Sequence, residues 1–348
     1  MECRLVLVVV AMLGVGCSGP GLFFPRQGQP FERHHAVTDD GVRLMLLRHT
    51  PTEGAVKPVP VILAHGIATN ALGFDLSPEV SMVKHLVDSG YEVWTFSLAG
   101  RWGSGTRPGG SDIDHFIEHD VPAVIDYVRS TSGADEVYWV GWSMGSMIMT
   151  AHLQDHPDAP VKGFVSIAGP VILEKPYHGA LEFFRDNPTL VTLWLSLSNL
   201  RGASFIPQFF PGVVLSDRSL VFNPENITPR VVSMYFSNAV DNATHPTYYQ
   251  IRRMLATGHF LSRDGKVDYA SADRLARLDK PILVLGGADD RICSPRAGRY
   301  LYDHVGSRDK TLRIFGADQG DTVDYGHVDI CVGINSPSEV YPAITSWL

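Results

Sequence analysis

Short, continuously apolar runs alternate with helix patterns along much of this chain. Such runs are typical of strands buried on both faces of a sheet, and strands separated by helices favour a parallel sheet. The clearest runs are VPVILAHG (59–66), YEVWTFS (91–97), DEVYWVGW (135–142), VKGFVSIAG (161–169) and PILVLGG (281–287). The sequence therefore predicts an α/β fold with a doubly wound, mostly parallel sheet.

Other segments refine this architecture. HHAVTDDGVRLMLLRHT (34–50) alternates about an Asp-Gly pair and predicts a hairpin. SPEVSMVKHLVDSG (77–90) predicts a helix that begins at an N-cap, Ser77, and a later helix pattern contains Pro122, which should kink or restart it.

The chain divides into a core, an insertion and an N-terminal extension. Strand–helix alternation stops over residues 172–271, which are rich in aromatic residues and mostly helical in pattern. We expect these residues to form a cap inserted into a core made of residues 33–171 and 272–348. The Gly/Pro-rich residues 18–32 predict a tether.

The N-terminus predicts export. MECRLVLVVVAMLGVGC has one basic residue, an apolar run too short to span a membrane, and small residues before Cys17. Its ending resembles a bacterial lipobox in which Cys17 is lipidated, although Gly14 stands where a large aliphatic residue is usual. We expect residues 1–17 to be a lipoprotein signal peptide and the protein to be anchored in a bacterial cell envelope. An ordinary signal peptide, giving a secreted or periplasmic protein, is the alternative.

Composition excludes some partners. Hydrophobic residues make up 45% and charged residues 19% of the 348 residues, which is typical of a globular protein. The net charge is −8 and no cluster of Lys and Arg stands out, so we expect no nucleic-acid partner. His34, His35 and His115 have no metal-ligand spacing with acidic residues, and we expect neither a metal nor a cofactor.

A candidate nucleophile lies in the stretch VYWVGWSMGSMIM (137–149). Ser143 follows a predicted buried strand and begins a predicted helix, which is the strand–turn–helix context of a nucleophile elbow. Gly141 and Gly145 suit that turn because side chains at these positions would collide with neighbouring backbone. The helix N-terminus also favours developing negative charge.

A serine hydroxyl needs a base, and the base needs a carboxylate. His327 lies in DYGHVDI, between the last predicted strand and the last helix, where the loop opens at the carboxyl edge of the sheet. Asp290 follows the strand before it and is the predicted acid, with the adjacent Asp289 as the alternative. The order Ser, Asp, His is that of α/β-hydrolases.

Two backbone amides are expected to form the oxyanion hole. The N–H of Met144 follows the nucleophile, and the N–H of Ile67 lies in the loop after VILAHG. His65 precedes that loop and is expected to bond its backbone rather than to act as a base.

These motifs resemble the acid-lipase, lysophospholipase-like branch of the α/β-hydrolase superfamily. The resemblance lies in VILAHGIATN, GYEVWTFSLAGRWGS, FIEHDVPAVIDYV, VYWVGWSMGSM and YGHVDI, and covers about residues 59–170 and 281–348. It implies an α/β-hydrolase fold and cleavage of carboxylic esters, with lipid-like esters less firmly implied. The SLAGR segment departs from the Asn-x-Arg-Gly usual in that group. Polyester synthases share several segments but use cysteine where Ser143 stands.

Alternatives remain for the function. An acyltransferase or a polyester depolymerase could use the same three side chains. In another class, the chain could be a non-catalytic envelope lipoprotein on a hydrolase scaffold.

Two further groups of residues carry hypotheses. Large aromatic residues could line an acyl-chain pocket or pack the cap onto the core; they are Trp142, Phe183, Phe184, Trp194, Phe209 and Phe210. Cys293 and Cys331 each follow a proposed catalytic residue, and they could form a disulfide that clamps the two loops or remain buried thiols.

Overall fold

The computed structural model describes residues 21–173, 200–215 and 219–348, apart from the side chains of residues 202 and 203. Eight strands form one sheet: β1 Glu32–Val37, β2 Arg43–His49, β3 Val61–Ala64, β4 Val93–Ser97, β5 Val137–Trp142, β6 Val161–Ile167, β7 Ile282–Gly287 and β8 Lys310–Phe315. Their order is β1-β2-β4-β3-β5-β6-β7-β8.

The sheet is parallel except at one edge. β1 pairs antiparallel with β2, as the predicted hairpin requires, and β2 pairs antiparallel with β4. All other neighbours are parallel. Every residue of β3, β4, β5 and β7 is buried, which explains why these strands read as continuous apolar runs.

Helices cover both faces of the sheet. In chain order the described α-helices are α1 Met82–Asp88, α2 Ile113–His115, α3 Val121–Ser132, α4 Met144–Asp155, α5 Leu200–Ala203, α6 Phe205–Phe209, α7 Pro229–Asn238, α8 His245–Thr257, α9 Ala272–Leu275, α10 Pro295–His304, α11 Asp329–Val332 and α12 Ser336–Trp347. Alternate residues of β3 enter opposite layers: Ile62 packs with one hydrophobic cluster and Leu63 with the other.

Two helix boundaries differ from, or refine, the sequence prediction. The helix predicted from Ser77 is a 3₁₀ turn, Pro78–Val80, followed by α1. The backbone of Ser81 is extended, and its hydroxyl accepts the N–H of Lys84, so the α-helix begins after this second cap. At Pro122 a π-helical turn, Phe116–Asp120, gives way to α3, so the proline restarts the helix in a turn where its missing N–H costs little.

The described part of the N-terminal segment packs on the rest of the protein. The N–H of Gly21 donates to Ser237 O over 2.9 Å, and that of Gln27 donates to Leu76 O over 2.8 Å. Arg26 also forms an ion pair with Asp75. Residues 21–31 therefore lie along the core and the cap, and residues 18–20 of the predicted tether lie outside the described residues. In the described part of the chain, every helix falls short of the length and apolar character needed to cross a membrane.

The described residues of the cap, within the insertion between β6 and β7, contact the loop after β3. Thr69 pairs with Val240 as an isolated antiparallel bridge, and the N–H of Asp241 donates to Ala68 O over 2.8 Å. The loop expected to carry one oxyanion donor is thus held by the core on one side and by the cap on the other.

Candidate active site

Ser143 occupies a strained turn between β5 and α4. Its φ of 54° and ψ of −118° lie where a residue with a side chain is rarely found. Its N–H donates to Ile167 O on the neighbouring strand over 2.8 Å. The turn places the serine at the carboxyl edge of the sheet, at the N-terminus of α4.

The two glycines of the elbow are required by close backbone approaches. A Cβ at Gly141 would lie 2.4 Å from Gly145 O, and a Cβ at Gly145 would lie 2.1 Å from Ala64 O. Neither distance is compatible with a side chain, because the atoms met are backbone atoms. The steric role expected for these glycines matches the structure.

The structure brings Ser143, His327 and Asp290 into one hydrogen-bonded line. Nε2 of His327 lies 2.9 Å from Ser143 Oγ, and Nδ1 lies 2.8 Å from Asp290 Oδ2. A carboxylate accepts, so Nδ1–H donates to Asp290 and Nε2 is left to accept the serine proton. All three residues are buried.

Asp290, and not Asp289, is placed to orient the histidine. The side chain of Asp290 is fully buried, and its Oδ1 accepts the N–H groups of Ile292 and Cys293, each over 2.8 Å. Asp289 is 36% exposed at its side chain and pairs with Arg291. The loop backbone thus fixes Oδ1 and leaves Oδ2 for the imidazole.

Met144 and Ile67 carry amides suited to an oxyanion hole. Within the described residues, neither N–H donates to a protein acceptor. The backbone of Gly66 passes beside the nucleophile, because a Cβ there would lie 3.2 Å from Ser143 Cβ. The two amides therefore belong to segments that meet at the serine.

His65 sets the orientation of the oxyanion loop. Its Nδ1–H donates to Gly66 O over 2.8 Å, and Thr69 Oγ1 donates to the same oxygen over 2.9 Å. In a trans peptide the C=O and the following N–H point in opposite directions, so these bonds also direct the N–H of Ile67. Nε2 of His65 accepts the N–H of Leu98 over 3.1 Å, and burial lowers the pKa of His65 to about 3. Both ring nitrogens are engaged, which fits the expected structural role.

Trp142 supports the histidine loop, and its place in a substrate pocket stays a prediction. Its indole N–H donates to His327 O over 2.9 Å, and its ring centroid lies 5.8 Å from that of the imidazole. Only 4% of the residue is exposed. The side chain is therefore packed behind the base.

Asp329 is a site residue that the sequence reasoning did not assign, although it lies in the quoted motif YGHVDI. Its carboxylate accepts the N–H of Asn223, the N–H of Gly326 and the side-chain amide of Asn226 at 2.9–3.1 Å. Burial raises the pKa of Asp329 to about 6, while these hydrogen bonds oppose the shift. Asp329 thus ties the loop of His327 to the segment that precedes α7.

The cap aromatics fall into two groups. Phe209 packs edge-on against Phe23 and Phe24, at centroid distances of 5.2 and 5.3 Å, and Phe210 is 67% exposed. Phe209 thus packs on the N-terminal segment and Phe210 faces solvent, and a pocket role for either stays a prediction. Phe183, Phe184 and Trp194 lie outside the described residues, as does Cys17.

Cys293 and Cys331 are both buried, and the structure does not join them in a disulfide. Burial raises the pKa of Cys331, and the negative charges of Asp329 and Asp290 raise it further. Of the two possibilities that the sequence left open, the structure has two buried thiols and not a disulfide. The loop of His327 is held instead by Asp329 and Trp142.

One group of side chains has the composition of a metal site. Asp39, Asp40 and His119 bring ligand atoms within 4.8 Å of one another at the surface. Asp40 is engaged by Arg107 and Thr38, and Asp39 by His119. We assign no metal to this cluster, because the Arg107 guanidinium binds both carboxylate oxygens of Asp40, and Asp39 pairs with His119.

Comparisons with known proteins bear on the fold and the family of this chain. The family model described as alpha/beta hydrolase fold matches residues 59–319. The chain is 24% identical over 331 residues to the poly(3-hydroxyalkanoate) polymerase subunit PhaC of Allochromatium vinosum, covering 88% of this chain and 85% of the relative. It is 22% identical over 361 residues to human lipase member K, covering 90% of this chain and 86% of that relative.

Among solved structures, an esterase from Exiguobacterium antarcticum superimposes with a TM-score of 0.62 at 18% identity, covering 91% of this chain and 99% of that one. This likeness concerns the fold. The family match, the mostly parallel sheet and the motif order agree, and the chain belongs to the alpha/beta hydrolase fold family, with lipases among its relatives.

Proposed function

We propose that the protein is a serine hydrolase that cleaves carboxylic esters, preferably lipid-like ones, through an acyl-enzyme. The observation that carries this proposal is the line of hydrogen bonds from Ser143 through His327 to Asp290, at 2.9 and 2.8 Å. A serine on a strained elbow, with a base and an oriented acid, is the arrangement that activates a hydroxyl for acyl transfer.

Acylation follows from these positions. Ser143 Oγ attacks the ester carbonyl while Nε2 of His327 accepts its proton, and Asp290 stabilises the imidazolium through Nδ1–H. The carbonyl oxygen, on which negative charge develops, accepts hydrogen bonds from the N–H groups of Met144 and Ile67. The tetrahedral intermediate then collapses, and His327 returns the proton to the departing alcohol.

Deacylation uses the same groups. A water molecule gives a proton to His327 and attacks the acyl carbon, and the second intermediate collapses to release the acid. The proton on Nε2 returns to Ser143 Oγ, so the enzyme ends in its initial state.

Replacement of the nucleophile tests the assignment. Ser143→Ala should lower turnover of a p-nitrophenyl ester by at least about 10⁴-fold, because the remaining groups supply only binding and oxyanion stabilisation. Ser146→Ala is a matched control, since Ser146 lies on the same helix and its hydroxyl bonds Ser166 at 2.6 Å. Equal activity of Ser143→Ala and the wild type would refute the proposal.

Labelling by a fluorophosphonate separates the enzyme from a silent scaffold. An activated Ser143 should react, and His327→Ala should suppress the reaction. A non-catalytic envelope protein on a hydrolase scaffold would not label in either form.

Acyl transfer to a hydroxyl acceptor is a second candidate. It is favoured by the similarity to a poly(3-hydroxyalkanoate) polymerase subunit over 88% of the chain. A serine at position 143, where polyester synthases use cysteine, argues for hydrolysis or depolymerisation instead. Measuring how the acyl-enzyme partitions between water and added alcohols distinguishes the two, and a screen of esters from acetyl to palmitoyl tests the preference for lipid-like acyl groups.

For location we propose an exported, envelope-anchored lipoprotein. The support is the sequence MECRLVLVVVAMLGVGC, with its apolar run and the small residues before Cys17. Mass spectrometry of the mature N-terminus tests it. A diacylated Cys17 supports the anchor, whereas cleavage after Gly16 with an unmodified cysteine supports a secreted or periplasmic protein.

A further inference from the structure

An exposed apolar surface lies at the junction of the N-terminal segment and the cap. We call it the aromatic face; its residues and exposed fractions are Leu22 (64%), Phe23 (49%), Phe209 (41%), Phe210 (67%) and Val213 (60%). Contiguous exposed apolar side chains of this size usually mark an interaction site, whereas isolated ones do not.

The aromatic face is a packed surface and not a set of loose side chains. The ring of Phe23 lies 5.2 Å from that of Phe209 and 5.8 Å from that of Phe205. The N–H of Gly21 and the carbonyl of Phe24 are bonded to α7, through Ser237 O and the side-chain amide of Asn238. The N-terminal segment and α6 therefore form one packed surface on α7.

Its composition indicates an apolar occupant. The segments GLFFP (21–25) and FIPQFFPGVVL (205–215) contain no charged residue, in a chain of which 19% is charged. A partner that recognises charge would find no group to pair with in these segments. Exposed aromatic and aliphatic side chains of this kind are suited to the headgroup–acyl boundary of a bilayer.

The aromatic face lies close in sequence to Cys17, and this favours a bilayer over other apolar partners. Four residues separate Cys17 from Leu22, and an extended chain covers at most about 3.5 Å per residue, so the two lie within roughly 20 Å. Once the signal peptide is removed, the lipid on Cys17 is the part of the mature protein expected to insert into a membrane. A bilayer that holds this lipid lies close to the aromatic face.

We propose that the aromatic face docks on the lipid surface, with the ring of Phe210 at interfacial depth. The proposal rests on the envelope anchoring proposed above. Docking there orients the cap toward the bilayer, because α6 and the N-terminal segment both pack against α7.

Tryptophan fluorescence of the full chain tests this contact. Phe210→Trp is reconstituted in phosphatidylethanolamine–phosphatidylglycerol vesicles with and without brominated acyl chains, and the emission of the six native tryptophans is subtracted. The matched control is Val37→Trp, at an exposed position (64%) on edge strand β1. Emission from position 210 should shift to shorter wavelength and be quenched by brominated lipid, whereas emission from position 37 should not.

The outcomes are distinguishable. Flotation with vesicles without quenching at position 210 overturns the docking and leaves the anchor standing, and failure of the wild type to float overturns both. A blue shift without vesicles, together with a doubled mass in solution, assigns the face to a second copy of the chain and overturns the proposal. Hydrolysis of a soluble p-nitrophenyl ester by Phe210→Trp is measured separately. An absence of hydrolysis by the wild type would overturn the proposed activity and would not change the quenching result.

Discussion

The bond from Trp142 to the loop of His327 gives the sharpest test of how the site is positioned. Trp142→Phe removes the indole N–H that donates to His327 O over 2.9 Å and keeps an aromatic ring in place. His327 is only 4% exposed, so its carbonyl would lose its donor in a buried environment. Leaving a buried acceptor unsatisfied costs about 1–3 kcal/mol.

If this hydrogen bond fixes the position of the imidazole, its loss should lower kcat/KM. Since each 1.36 kcal/mol is tenfold in rate, 1–3 kcal/mol corresponds to a decrease of about 5- to 150-fold in kcat/KM. Activity on p-nitrophenyl butyrate and the rate of fluorophosphonate labelling should fall together, because both depend on proton transfer to Nε2.

Trp139→Phe is the matched control. Trp139 is on the same strand, is fully buried, and donates its indole N–H to Gly145 O over 3.1 Å. Thermal unfolding should show a comparable loss of stability in both variants, with the larger loss of kcat/KM in Trp142→Phe. Equal losses of activity at equal losses of stability would refute the positioning role.

Three further predictions concern the acid, the elbow and a buried carboxyl. Asp290→Asn should lower kcat by about 10³–10⁴-fold, whereas Asp289→Asn should change it little, as steady-state kinetics can show. Gly145→Ala should destabilise the fold by at least about 3 kcal/mol in urea unfolding, whereas Gly212→Ala, which meets no atom within 4 Å, should not. Burial raises the pKa of Asp120 from 3.8 to about 6, so the folded state binds this proton more tightly and the contribution of Asp120 to stability falls as the pH rises between these values. Asp120→Asn should remove that part of the slope, and parallel pH–stability curves for variant and wild type would contradict it.

Local sequence patterns were enough to predict much of the fold. Buried parallel strands have no polar face, so their continuous apolar runs placed β3, β5, β6 and β7 within a few residues of their observed ends. The helix predicted from Ser77 was misplaced because a second cap, Ser81, competes for the same role and only packing decides between them.

The catalytic order was also readable from the chain. Ser143 is recognised by the strand and helix around it, and His327 and Asp290 by the loops that follow later strands. The choice between Asp290 and Asp289 required the structure, because one residue along a loop reverses which side chain is buried and which meets solvent.

Periodicity and residues adjacent in the chain were enough to predict the buried strands, the elbow and the order of the three reactive side chains. The contacts of Trp142 with His327, of Asp329 with the cap, and of Phe209 with the N-terminal segment, and the exposure of Phe210, depend on the tertiary fold. Each of these contacts joins segments about a hundred residues or more apart, and no local pattern records which distant group a side chain will meet.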